Sequence, residues 1–331
     1  MIFSIFAFLV CFALPFIFKK ILSKNRLATA KEKPMFLGIS IYLSVFVVFI
    51  YALFYHVTDN PFLVRLLAGS SFMLFIGILD DVKKLSVKTK LLGQIVAACI
   101  VIFMGSRTAI AYFPAWINML ITLVWILTLI NAFNFLDIMD GLCTGISFIV
   151  CVIFLVISII SGMHGISMFF WILSGATLAA FIHNVPGARF YLGDSGSMLV
   201  GFIFACSTMQ LSYAPDTTHG LSLLVPLLIM FLPIYDLILT VFMRWRKRIA
   251  IFKKSNDHLV LILKNKGFSV RKILTIMYIS CLFSGGSAVL LKILPLNAKP
   301  WFLVFFAGVV FTFNIFMVKI IKTSNQAIPE K

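Results

Sequence analysis

The 331-residue chain is 62% hydrophobic, only 12% charged, and carries a formal net charge of +17. That much apolar surface exceeds what a water-soluble domain can bury, so a soluble protein is excluded and an all-α, polytopic membrane protein is expected. The positive excess is read as orientation in a bilayer rather than as affinity for nucleic acid.

Each membrane span needs about 20 mostly apolar residues. Runs of this kind fall at 1–18, 36–56, 62–79, 91–105, 110–130, 143–161, 165–183, 198–213, 220–243, 272–293 and 300–320, which predicts eleven spans in one membrane-embedded domain covering 1–331. The first run has no basic segment before it and is followed by Lys19-Lys20. It is therefore expected to be an uncleaved span. Placing the N-terminus outside puts Lys19, Lys20, Lys24, Arg26, Lys31, Lys33, Lys83, Lys84, Lys88, Lys90, Arg189, the 244–272 segment and the C-terminal tail on the cytoplasmic side. Only Arg65, Arg107, Lys292 and Lys299 remain outside. The six cysteines lie in or beside apolar runs without CxxC pairing. They read as small hydrophobes rather than as a disulfide framework.

The same orientation brings three acidic clusters to the cytoplasmic face. Asp80-Asp81 ends the third run, with Lys83, Lys84, Lys88 and Lys90 nearby to offset repulsion between the carboxylates. Adjacent residues point about 100° apart on a helix, so both reach one site only at a frayed end. The bland alternative is a solvated loop. Asn131, Asn134, Asp137 and Asp140 recur every third residue before Gly141-Leu142. Neighbours three apart share a helix face, but each step drifts about 60°, so a division of labour between metal and substrate is expected. Interhelical hydrogen bonding is the alternative. Asp194, within Gly193-Asp194-Ser195-Gly196-Ser197, begins a further run. Its small neighbours and the N–H groups of a helix start suit a phosphate, unless Asp194 caps its own helix.

The longest inner connection, 244–272, alternates Trp245, Ile249, Ile251 and Phe252 with Arg246, Arg248, Lys253 and Lys254, and is read as a basic interfacial loop or a solvated one. It carries a lone histidine, His258. Asp236, inside the span before it, is expected to pair with Arg244 or with a neighbouring span. Ionisable groups in such places mark function. Carboxylates, an asparagine and surrounding cations suit Mg²⁺-assisted phosphoryl transfer, and a membrane-face location points to a lipid substrate.

These motifs resemble those of the polyprenyl-phosphate N-acetylhexosamine-1-phosphate transferases, the family of phospho-muramyl-pentapeptide translocase and of enzymes initiating O-antigen and teichoic acid assembly. Gly77-Ile-Leu-Asp80-Asp81 with Lys90, the stretch Asn131–Leu142, and Asn184 through Pro186 to Ser197 are similar, in order, to three family motifs over residues 70–260. The resemblance implies transfer of N-acetylhexosamine-1-phosphate from a UDP-sugar to a polyprenyl phosphate, with release of UMP. It implies Mg²⁺ (Mn²⁺ as an alternative) on Asn134 and Asp194, phosphate on Lys90, and a nucleotide pocket lined by Asn131, Asp137 and Asp140. Asp80 or Asp81 would deprotonate or orient the lipid phosphate, and His258 would contact substrate. The expected setting is a bacterial inner membrane, with the bilayer as partner and room for a homodimer. Two departures stand out. Ile138 replaces a usual glycine, and the family's H-x-H-H motif reads His258-Leu259-Val260-Leu261. An ion-coupled transporter and an inactive relative serving as an assembly partner are the alternatives.

Overall fold

The computed structural model describes residues 2–24, 34–54, 60–108, 110, 113–211, 224–249 and 257–325. Among them are thirteen helices and no strand. In chain order these are α1 (Ile2–Lys24), α2 (Leu37–Phe54), α3 (Pro61–Lys83), α4 (Val87–Phe103), α5 (Ala115–Leu136), α6 (Leu142–Ile160), α7 (His164–Asn184), α8 (Gly193–Leu211), α9 (Leu224–Ile229), α10 (Phe231–Arg246), α11 (Leu259–Asn265), α12 (Val270–Ile293) and α13 (Lys299–Asn325). Arg26, Lys31, Lys33, Ile251, Phe252, Lys253 and Lys254 lie outside the described residues.

Every predicted run coincides with a helix or, at 220–243, with the pair α9–α10 divided at Met230. Among the described residues, six helices are long and apolar enough to cross a membrane by length and composition: α1, α3, α5, α6, α7 and α12. The protein is thus an all-helical polytopic membrane protein. α4 begins at Val87, so Lys88 and Lys90 lie on its first turn rather than in the preceding loop. α8 departs for another reason. Every residue from Ser195 to Met209 is buried, so this helix is enclosed by protein, principally α5, α3 and α2. A helix shielded from lipid on all sides tolerates a Gly/Ser-rich start.

Local caps set the starts of α3 and α4, the second of which bears Lys90. Asn60 accepts a 3.0 Å bond from the Phe62 N–H and Pro61 opens α3, while Ser86 accepts 3.2 Å from the Thr89 N–H at the start of α4. Such caps satisfy backbone donors that would otherwise be orphaned. Glycines then let α8 approach its neighbours closely. A Cβ on Gly77 would lie 2.4 Å from Ser195 Cα, and one on Gly38 would lie 2.4 Å from the Gly196 nitrogen.

Backbone and side-chain bonds gather the polar turns at one end of the bundle. Tyr191 donates to Pro34 at 3.0 Å, and Leu37 donates to Tyr191 at 3.3 Å, joining the start of α2 to the 185–192 turn. Asn184, at the end of α7, accepts from the Gly141 N–H at 3.0 Å and from Thr144 at 3.1 Å, and donates to the Phe190 carbonyl at 3.1 Å. The end of α5, the start of α6 and the end of α7 are fastened together there. Within the predicted interfacial segment, 259–265 forms α11, whose Leu259, Val260, Ile262 and Leu263 are buried in the bundle. That part faces inward because its apolar residues find partners on α12 and α10.

Candidate active site

A cavity of about 960 Å³ opens at this end. Asp80, Asp81, Lys90, Asn131, Asn134, Asp137, Asp194 and His258 all line it, together with Gln94, Phe135, Arg244 and Leu261. Residues separated by up to 226 positions in sequence, Met35 and Leu261, therefore share one chamber. Asp140 is not among the lining residues and sits in the turn behind them.

The centre of the cluster is the Lys90 ammonium. It lies 2.8 Å from Asp80 Oδ2, 2.7 Å from Asp194 Oδ1 and 3.2 Å from Asn134 Oδ1. Asn134 also donates to Asp194 and, at 3.0 Å, to the Ser197 hydroxyl. Four elements supply these groups: the last turns of α3 and α5 and the first turns of α4 and α8.

The two adjacent aspartates diverge. Asp80, only 6% exposed, accepts from the Leu85 N–H at 2.8 Å as well as from Lys90. Asp81 accepts from the backbone N–H groups of Asp194 at 2.7 Å and Ser195 at 3.1 Å, one on each carboxylate oxygen. The start of α8 is thus capped by a carboxylate on α3, which corrects two expectations. Asp194 is not the cap of its own helix, and the free N–H groups expected there for phosphate are occupied by Asp81. Gly193 makes this possible with φ +69°, and a Cβ in its place would meet Asp81 Oδ2 at 2.8 Å.

Along 131–140 the polar side chains take different directions at the end of α5. Asn131 donates to Gln94 Oε1 at 2.9 Å and to the Leu127 carbonyl at 2.7 Å, so it faces α4. Asn134, one turn on, joins the Lys90 cluster. The chain leaves helical geometry at Asp137, whose carboxyl sits beside the Gly193 N–H. Burial, reinforced by the charges of Asp194, Asp81 and Asp140, pushes that carboxyl up to about 7 from its ordinary 3.8. Desolvation and like charge both disfavour the ionised form. Tyr278, on α12, donates to the Gly141 carbonyl at 2.6 Å and braces the turn from the other side.

On the opposite wall, His258 is 5% exposed and its ring meets Phe135 edge-on at 5.3 Å between centroids. Its Nδ1 lies 3.2 Å from Asp236 Oδ2 and 3.2 Å from Thr240 Oγ1, and its Nε2 lies 3.3 Å from Arg244 Nη2. Asp236 thus bonds the imidazole, whose other nitrogen lies against Arg244. Arg244 also stacks over Phe135 at 5.1 Å. Gln94, Thr240 and Tyr278 were not foreseen. The four-residue step from Lys90 to Gln94 and the same step from Asp236 through Thr240 to Arg244 are same-face signals that mark the first two; Tyr278 has no such mark.

Among the described residues no three acidic, histidine or cysteine side chains form a metal-binding group. The donor set nevertheless fits a hard divalent cation. Three oxygens, from two carboxylates and an amide, already converge on one positive charge, and Mg²⁺ commonly takes one or two protein carboxylates with substrate phosphate completing its shell.

Residues 63–212, which hold the acidic half of this chamber, match a family model described as glycosyl transferase family 4. That segment is similar to the family. Other proteins align over longer stretches of the chain. The decaprenyl-phosphate N-acetylglucosaminephosphotransferase of Mycobacterium tuberculosis (strain ATCC 25618 / H37Rv) is 32% identical over 241 residues, covering 65% of this chain and 59% of the relative. A probable undecaprenyl-phosphate N-acetylglucosaminyl 1-phosphate transferase of Bacillus subtilis (strain 168) is 26% identical over 301 residues, 88% of this chain and 81% of the relative. The undecaprenyl-phosphate alpha-N-acetylglucosaminyl 1-phosphate transferase of Escherichia coli (strain K12) is 28% identical over 255 residues, 72% and 67% respectively. The alignment thus spans somewhat less than two thirds of the mycobacterial relative and two thirds or more of the other two.

Proposed function

We propose that this protein transfers N-acetylhexosamine-1-phosphate from a UDP-sugar to a polyprenyl phosphate at the cytoplasmic face of a bacterial inner membrane. An oxygen of the lipid phosphate attacks the sugar-linked phosphorus. A new P–O bond forms as the bond to UMP breaks, and UMP leaves with the electron pair. The products are UMP and a polyprenyl-diphosphate-sugar fit to initiate a cell-envelope glycan such as O-antigen. The observation that carries this reading is the convergence of Asp80, Asn134 and Asp194 on a single cationic centre, in a chamber that also holds Arg244 and His258. The names of the aligned relatives point to N-acetylglucosamine as the sugar.

The reaction needs positioning and charge neutralisation more than covalent help from protein. Asn134 and Asp194 would hold Mg²⁺, whose charge would neutralise the donor diphosphate. Lys90 is placed to bind a phosphate oxygen. Asp81 keeps the start of α8, and with it Asp194, in place. Asp80 sits against Lys90 and is the better placed of the two aspartates to orient the lipid phosphate. Asn131 and Asp137 line the nucleotide side. Asp140 lies behind Asp137 and acts on it through charge.

The eleven-span topology, with the N-terminus outside, belongs to the same proposal. Its support is that the cluster lies at helix ends that also carry Lys83, Lys88, Arg244 and Arg246. The test is direct. Purified protein with undecaprenyl phosphate, Mg²⁺ and UDP-N-acetylglucosamine is expected to release UMP only when the lipid acceptor is present. UMP exchange without acceptor would point to an aspartyl-phosphate intermediate instead, and no UMP from any UDP-N-acetylhexosamine would remove the proposal.

A further inference from the structure

α10 carries a file of buried polar residues along one face, Asp236, Thr240 and Arg244, at 1%, 0% and 3% exposure. Residues four apart on a helix lie one above another, and a buried carboxylate without partners would be strongly disfavoured. The partner of the whole file is His258, which immediately precedes α11. The hydrogen-bonding roles follow by elimination. A guanidinium only donates, so Nε2, 3.3 Å from Arg244 Nη2, presents its lone pair. The ring proton then sits on Nδ1, where an ionised carboxylate, 3.2 Å away, only accepts. The Thr240 hydroxyl, able to do either, accepts as well. Asp236 Oδ1 also takes the Leu259 N–H at 2.9 Å, which fixes the backbone beside the ring.

We propose that Asp236, assisted by Thr240, is a positioning residue that sets the tautomer and orientation of His258, so that Nε2 and Arg244 together hold the His258 wall of the chamber in a substrate-ready form. The arrangement parallels the general rule that the hydrogen bond made by one ring nitrogen decides what the other presents. It rests on the proposed function for its kinetic consequence, though not for the tautomer itself. Asp236 does not itself line the cavity and meets it through His258. Its effect on turnover must therefore pass through His258 and Arg244.

The experiment uses the full chain, labelled with ¹⁵N-histidine, in detergent or nanodiscs. Two-bond ¹H–¹⁵N spectra report each tautomer, and the spectrum of His258→Gln identifies the His258 signal among the five histidines. Wild type is expected to show protonated Nδ1 and unprotonated Nε2. Asp236→Asn, whose amide can donate to Nδ1, is expected to move population to the Nε2–H form. It should lower kcat/KM for the UDP-sugar by about 10- to 100-fold, with KM for the lipid phosphate unchanged and no further loss when added to His258→Gln. If Asp236→Asn does not fold, Thr240→Val removes only the hydroxyl, and it is expected to leave the Nδ1–H tautomer and cost about 3- to 10-fold. A wild-type His258 protonated on Nε2 overturns the proposal, as does an Asp236→Asn loss that persists undiminished in the His258→Gln background. Wild type with the expected tautomer but no UMP release supports the His258 assignment and removes the transferase reading instead.

Discussion

The two walls of the chamber are built on different principles. The acidic wall is fixed by backbone. α8 starts at a glycine, is capped by Asp81 from α3, and lies so close to α3 and α2 that Gly77 and Gly38 have no room for a side chain. The His258 wall is fixed by side chains, through the buried file on α10 and a seven-residue helix, α11. Backbone locking suits atoms that, on the proposed function, would meet a small hard cation. A side-chain file can change its contents without altering the frame, and this is where the chain departs from the H-x-H-H motif of the family it resembles. Val260, at a position where that motif has histidine, is buried in the bundle, while Leu261 presents an aliphatic wall to the cavity.

This contrast can be broken or sharpened by substitution. The largest effect is expected for Asp194→Ala, which removes the oxygen shared by Lys90 and Asn134. UMP release should fall at least about 1000-fold while circular dichroism stays unchanged. Retained turnover would show that the acidic wall is not the reaction centre. Gly77→Ala comes next. Its Cβ meets backbone that cannot move aside, so overpacking of about 1–3 kcal/mol should lower Tm and displace Asp194, costing activity about 10-fold or more. Gly286→Ala, on α12 where a Cβ has nothing within 4 Å, should be neutral or slightly stabilising. Equal behaviour of the two variants would refute the account of backbone locking.

Asp137→Asn separates charge from geometry. With its folded-state pKa raised to about 7 from 3.8, Asp137 leaves stability intact below about pH 4 and costs progressively more as pH rises towards 7. In metal-free buffer the variant should melt close to wild type at pH 4 and about 2–4 °C higher at pH 8; Mg²⁺ should narrow the gap. A variant that melts lower than wild type at pH 8 would contradict the sign. The smallest effect is expected for Tyr278→Phe, which loses one bond to the Gly141 carbonyl, about 1 kcal/mol. It should be read as a modest rise in KM for the UDP-sugar.

Much of the acidic wall was legible because local motifs carry it. Carboxylates at the ends of apolar runs, ordered along the chain, pointed to one membrane face, and Lys90, Asn134 and Asp194 do meet. What the motifs could not carry was direction. Asp80 and Asp81 are neighbours, yet one turns to Lys90 and the other to the start of α8. That choice depends on how closely α8 approaches α3, a tertiary fact. The spans were found as runs of hydropathy, which do not distinguish lipid-facing helices from α8, enclosed by protein. Tyr278 was invisible because it acts across 137 residues through a backbone carbonyl. The inward fold of 259–265 was hidden by the basic residues around it.

Lys90 gives the molecule an internal counter-ion. Two carboxylates near a low-dielectric boundary would repel each other during insertion, but an ammonium held by both lets the bundle form before any divalent ion arrives. Assembly in the membrane is thereby uncoupled from mineral supply. On the proposed function, chelators should silence the protein reversibly, with its thermal unfolding largely preserved, in contrast to domains whose metal is part of their folding free energy.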